Sequence, residues 1–150
     1  MTLLSQITAA ILLLIALFHL LWGINVYWPA KDEASLARAV VGAKGITQMP
    51  NFWACSFVTV ALLIGAVIVL SLGGAVRLAS IPIWIFQILG AGFALVLLAR
   101  GIIGFTPFWA GITPEEPFLT LNRLYYSPLC LALGASVVTL LIRSRFYNSL

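Results

Sequence analysis

The sequence predicts an all-α fold: a four-helix transmembrane bundle with short interfacial helices in its two long connections. Three observations carry this expectation. Of 150 residues, 63% are hydrophobic and 8% charged, against roughly 45–50% and about 25% in a soluble domain, and a chain this short cannot hide so much apolar surface inside itself. The apolar residues gather into four runs, each near the ~20 residues a helix needs to cross a hydrocarbon core. None alternates apolar with polar residues as a membrane strand does, and in lipid a helix satisfies its own backbone groups. The same composition excludes disorder, which needs low hydrophobicity and high charge.

The elements are expected over 3–26, 52–72, 81–100 and 124–142, within one integral-membrane domain spanning 1–150. The first run, Leu3 to Val26, is broken by Ser5, Gln6, Thr8, His19 and Asn25. It lacks a basic leader and outruns the ~7–15-residue core of a signal peptide, so it reads as a retained helix. Pro50-Asn51 supplies a turn former and an N-cap for the second run, Phe52 to Leu72, which carries no charge and ends at Gly73-Gly74. Residues 73–80 form a tight turn, making the second and third helices antiparallel neighbours. Ser80 is expected to cap the third helix with Pro82 in its first turn, and Ser127-Pro128 gives the same signal in the fourth. Ala61-x-x-x-Gly65 is a packing pattern with Gly134 and Ala135 available on the fourth helix.

The long connections, 27–51 and 100–123, also look structured. Asp32 can cap a helix from Glu33 to Val41 that Gly42 ends. Thr113-Pro114-Glu115-Glu116 reads as a cap, a proline at the first helical position and a capping-box acid. The apolar stretch 101–112 is too short and too rich in Gly and Pro to span, and is expected to dip into the headgroup region. With four crossings both long connections share one side, and the short turn and both termini share the other. Lys31, Arg38, Lys44, Arg100 and Arg123 on the long-connection side favour that side as cytoplasmic by raw count. Arg77, Arg143 and Arg145, denser and without acids nearby, favour the opposite orientation.

The net charge of +4 is spread singly, leaving no basic stripe for nucleic acid. Cys55 and Cys130 form no Cys-x-x-Cys pair and one His cannot complete a zinc set, so no metal site is expected. They read as buried thiols, although a disulfide is geometrically conceivable. No phosphate loop, serine elbow or His-Glu-x-x-His is present, no cofactor is indicated, and no acid within a helix supports proton pumping.

The scarce polar residues gather toward the long connections. His19, Trp22, Asn25, Arg100, Asn122 and Tyr126 are the ligand-binding candidates, and His19 is the catalytic one. At about 1.5 Å per residue, His19 lies about 12 Å below Tyr27 and shares a face with Trp22, Gly23 and Val26. An ionisable group at that depth faces the bundle or a wet cavity. It serves as acid or base, or it is a neutral imidazole bonded across helices. Arg100 snorkels to headgroups if its helix stops at Ala99. If the helix runs on through Ile103, Arg100 needs a partner: Glu115, Glu116 or an anionic ligand. The Trp and Tyr residues fit an aromatic belt or the lining of a lipid or quinone pocket.

The stretch Phe118-Leu-Thr-Leu-Asn-Arg-Leu-Tyr-Tyr-Ser-Pro-Leu-Cys130, with His19-Leu-Leu-Trp22-Gly23 and Arg100-Gly101, resembles the small bacterial membrane family known as domain of unknown function 3995. The block Tyr126 to Cys130 is the most specific part. The family pattern often has Asp where this chain has Asn122. The resemblance implies a four-helix, multi-pass protein of the bacterial inner membrane and a residue cluster, but no activity. Three function classes stand. The first is a membrane-embedded binder of a lipid, quinone or other apolar small molecule, in a polar-lined pocket near one leaflet. The second is an enzyme on a lipid-soluble substrate using His19. The third is an accessory subunit docking a protein partner through its aromatic face.

Overall fold

A computed structural model describes residues 2–78 and 80–147, except the side chains of 146 and 147. Its elements are α1 (Thr2–Gly23), α2 (Glu33–Val40), α3 (Phe52–Leu72), α4 (Ile83–Ile103), α5 (Pro107–Ile112), α6 (Phe118–Leu121), a π-helical turn (Asn122–Tyr126) and α7 (Ser127–Tyr147). No strand occurs among the described residues. Four helices are long and apolar enough to cross a membrane: α1, α3, α4 and the continuous span Phe118–Arg145.

The long helices pack as two intimate pairs, α1 with α3 and α4 with α7, joined chiefly where α3 meets α4. Leu12, Val69, Val137 and Leu140 are fully buried at the centre, with Ala9, Ala66, Ala94 and Leu133 between the helices. Leu14, Phe57, Ile64, Ile88, Leu95 and Val96 point outward, as the apolar exterior of a membrane bundle requires. Without a hydrophobic drive between helices in lipid, close approach at small residues does the work. Gly65 seats the Phe93 ring of α4, and Gly134 of α7 seats Leu98, also of α4. The small residues of the second and fourth runs thus both receive α4, rather than each other.

Several helix ends follow local chemistry. Asn51 Oδ1 accepts from the Ala54 amide at 2.9 Å and Asp32 Oδ1 from Ser35 at 2.8 Å. Gly73 closes α3, and Gly74 follows with φ 75°. Others depart from expectation. The cap position of α4 holds Pro82, with no side chain accepting from the first turn, so Ser80 does not cap it. Thr113 ends α5 instead of starting a helix, and its hydroxyl donates to the Trp109 carbonyl at 2.9 Å. The next helix waits until Phe118, past Pro117, and Glu116 reaches forward to Thr120. Ser127 has helical φ and ψ and continues the chain rather than capping it. The first helix ends at Gly23 and the third continues to Ile103.

The long connections dock on each other. The Glu115 amide donates to the Gly42 carbonyl at 3.2 Å, and the Gly45 amide donates to Glu115 Oε1 at 2.8 Å. The Phe118 ring lies against Gly42, where a Cβ would collide with it and where φ is +70°. Tyr126 reaches across to donate to the Ala39 carbonyl at 3.0 Å.

Candidate functional site

Because α4 runs on to Ile103, Arg100 sits inside its last turn, held by protein. Its Nη2 donates to Asn122 Oδ1 at 3.0 Å. Asn122 is 0% exposed. It also accepts from the Ser127 hydroxyl at 3.1 Å and donates through Nδ2 to the Gly104 carbonyl at 2.7 Å. The guanidinium lies 4.6 Å from the centroid of the Trp109 ring, a cation–π contact. Glu115 and Glu116, the anticipated acid partners, are engaged elsewhere, with Gly45 and Thr120. Two buried donors in the cluster have no acceptor among the described residues: Arg100 Nη1 and Trp109 Nε1.

A widened turn builds this cluster. Pro128 has no N–H for the carbonyl of Leu124 and its ring crowds that carbonyl. The preceding turn opens to π-helical spacing, with the Ser127 amide bonding to the Asn122 carbonyl. That register puts residues five apart on one face and brings Ser127 beside Asn122. Gly104 completes the fit, since a Cβ there would run into the Ser127 hydroxyl and lie 2.7 Å from Arg100 Nη1.

The other candidates lie apart from this cluster. His19 Nδ1 donates to the Ile15 carbonyl at 2.9 Å; a carbonyl only accepts, so the proton is on Nδ1 and the other ring nitrogen is left for a partner. His19 and Trp22 line a small cavity of about 160 Å³ with Val41, Met49 and Cys55, between α1, α2 and the start of α3. The Trp22 indole donates to the Trp28 carbonyl at 3.1 Å. Asn25, exposed and at φ 63°, accepts from the Tyr27 hydroxyl at 3.3 Å. Tyr126 is committed to Ala39. Only Arg100 and Asn122 of the six are bonded to each other. Cys55 and Cys130 are free thiols. No group of three His, Cys, Asp or Glu able to hold a metal occurs among the described residues.

Sequence reasoning missed Ser127, Gly104 and Trp109 as members of the cluster. Ser127-Pro128 was the available signal, once proline inside a helix is read as a widened turn. It also missed a larger cavity of about 470 Å³ at the opposite end, beside the short turn.

The fold and this cluster define a protein with four membrane-length apolar helices and a half-buried arginine among neutral partners. A protein family described as a protein of unknown function (DUF3995) matches residues 12–137, and the chain belongs to that family. No curated protein matches the chain, and no solved structure does.

Proposed function

We propose that this chain is a multi-pass protein of a bacterial inner membrane that binds a lipophilic small molecule, a lipid or a quinone, through an acceptor oxygen at Arg100 and Trp109. The supporting observation is the pair of orphan donors, Arg100 Nη1 and Trp109 Nε1, in one cation–π unit. A buried donor without an acceptor costs about 1–3 kcal/mol, and more when charged. One carbonyl or phosphate oxygen beside the guanidinium would relieve that cost. Asn122, itself bonded by the Ser127 hydroxyl, holds Nη2 of the guanidinium in place, so Nη1 is preset. His19, in a cavity of its own, has no part in this binding.

Extraction of co-purified small molecules from detergent-purified protein, read by mass spectrometry, tests the reading. An oxygen-bearing lipophile enriched in the wild type and in His19→Gln, and lost from Arg100→Gln and Trp109→Phe, is expected. Retention of that molecule by both cluster variants defeats the proposal. So does an empty wild-type protein with a stable protein companion, which instead supports the accessory-subunit reading.

A further inference from the structure

We propose that the opposite end of the bundle holds a second site, for a phosphate-type oxyanion, in the cavity between the short turn, the start of α4 and the ends of α1, α3 and α7. The cavity of about 470 Å³ is lined by Ser71, Arg77, Ile83, Phe86 and Ser144, among others. Three independent features converge there.

The first is Ser71. Its residue is 6% exposed and its hydroxyl has no hydrogen-bond partner among the described residues. Elsewhere in the bundle helical hydroxyls bond back to a carbonyl three or four residues earlier, as Thr8 does to Leu4, Thr59 to Cys55 and Thr139 to Ala135. Ser71 does not, and its donor is left for something in the cavity it lines. The second is the start of α4. The first amides of a helix lack the usual acceptor within it; here the Ile85 amide turns back to the Pro82 carbonyl at 3.1 Å, and among the described residues no side chain accepts from the amides of Ile83 and Trp84. A helix N-terminus without a side-chain cap, with its positive dipole end, favours an anion. The third is charge. Arg77 is the one ionisable side chain in the lining among the described residues, and Arg143 and Arg145 flank Ser144 on α7. Every acid of the chain, Asp32, Glu33, Glu115 and Glu116, lies in the long connections.

A hydroxyl, a guanidinium fork and helix amides together are donors only in what they offer an anion, and a phosphate has enough oxygens to meet all three. Ile83 and Phe86 add an apolar wall that suits the chain of a phospholipid. A phospholipid headgroup and free phosphate share this chemistry, and experiment separates them.

The full-length protein in a neutral detergent, at fixed ionic strength, is titrated with short-chain phosphatidylglycerol, with diacylglycerol and with inorganic phosphate, reading the thermal unfolding midpoint. Phosphatidylglycerol is expected to raise the midpoint and diacylglycerol to leave it unchanged. Arg77→Gln should weaken the apparent affinity by about tenfold and Ser71→Ala by about threefold, with Arg143→Gln and Arg145→Gln within about twofold, as screened surface charges. Ser71→Ala breaks no existing bond, so it keeps the test readable should Arg77→Gln unfold the turn. An Arg77-dependent response to inorganic phosphate assigns the site to the soluble ion, and a response to the phospholipid alone assigns it to a headgroup; both support the site. An equal response to diacylglycerol, or wild-type affinity in both Arg77→Gln and Ser71→Ala, overturns it.

Discussion

At the end of the bundle that carries the long connections, polar groups close on one another. Arg100 bonds Asn122, Asn122 bonds Gly104 and Ser127, Tyr126 bonds Ala39, and Glu115 bonds Gly45. At the end with the short turn, few polar groups are present, yet Ser71 is unpartnered and Arg77 lines the larger cavity. The density of polar residues therefore marks where the fold is pinned, and a residual unpartnered donor marks where something else can bind. Even in the crowded end it is the two leftovers, Arg100 Nη1 and Trp109 Nε1, that suggest a ligand.

The largest way to break this contrast is to remove the hub of the pinned end. Asn122→Leu takes away an acceptor from Arg100 and Ser127 and a donor from Gly104, leaving a half-buried guanidinium with less compensation. A loss of about 3 kcal/mol is expected from three bonds of order 1 kcal/mol each, read by denaturant unfolding in micelles. Asn122→Asp should recover only part of it. The carboxylate still accepts from Arg100, but it sets an oxygen against the Gly104 carbonyl that now receives Nδ2. A loss below about 1 kcal/mol for Asn122→Leu would show the network to be ornamental.

Next in size is Gly42→Ala. The position has φ +70°, and a Cβ would enter the Phe118 ring. Overpacking costs about 1–3 kcal/mol, and the damage should concentrate where α2 meets α6. Faster proteolysis within 27–51 and 113–121, with the long helices still protected, is the expected pattern. Uniform destabilisation would mean the connections are not a separate docked layer.

What could be read in advance divides along the same line. Apolar runs, and the caps at Asp32 and Asn51, depend on residues within one turn of each other, so the sequence displays them directly. The cap expected at Ser80 failed because Pro82, two residues on, occupies the cap position itself. Thr113 failed because its hydroxyl had a competing acceptor behind it, at Trp109. The Arg100 partner was beyond reach for a different reason. It depends on how far α4 continues and on a π-helical turn that shifts Ser127 by a fraction of a turn, and neither follows from periodicity. Gly104, an unremarkable glycine in an apolar stretch, matters only because three side chains from elsewhere arrive beside it. Ser71 is informative for a bond it lacks, which no sequence can show.

A matched pair of serines sharpens the comparison at smaller cost. Ser127→Ala removes a bond to Asn122 and should destabilise by about 0.6–1 kcal/mol, the scale measured for hydrogen bonds within membrane bundles. Ser71→Ala removes no bond and should fall within about 0.5 kcal/mol of wild type, in either direction. Equal losses for the two would mean that Ser71 has an acceptor in the folded protein, and would take away one support of the oxyanion site.

The smallest effect is a pH dependence confined to one end. The Asp32 carboxyl accepts the Ser35 amide at 2.8 Å and the Ser35 hydroxyl at 2.7 Å. Those bonds, the amide first and then the hydroxyl, with a weaker contribution from Arg38, hold it below the usual carboxylate range. A lowered pKa in the folded state means the cap is fully effective above the unfolded value of about 3.9 and is lost as pH falls through the folded one. Hydrogen exchange at the first amides of α2 should therefore stay constant from neutrality to about pH 4, apart from intrinsic chemistry, and lose protection below it. Asp32→Asn keeps an acceptor without a titrating proton and should remove that acid step. No Asp or Glu lies at the short-turn end and no side chain caps α4, so the first amides of α4 should show no such step over the same range. An acid step in α4 matching that of α2 would mean the two ends are coupled through the bundle, and would end the picture of one pinned end and one open end acting independently.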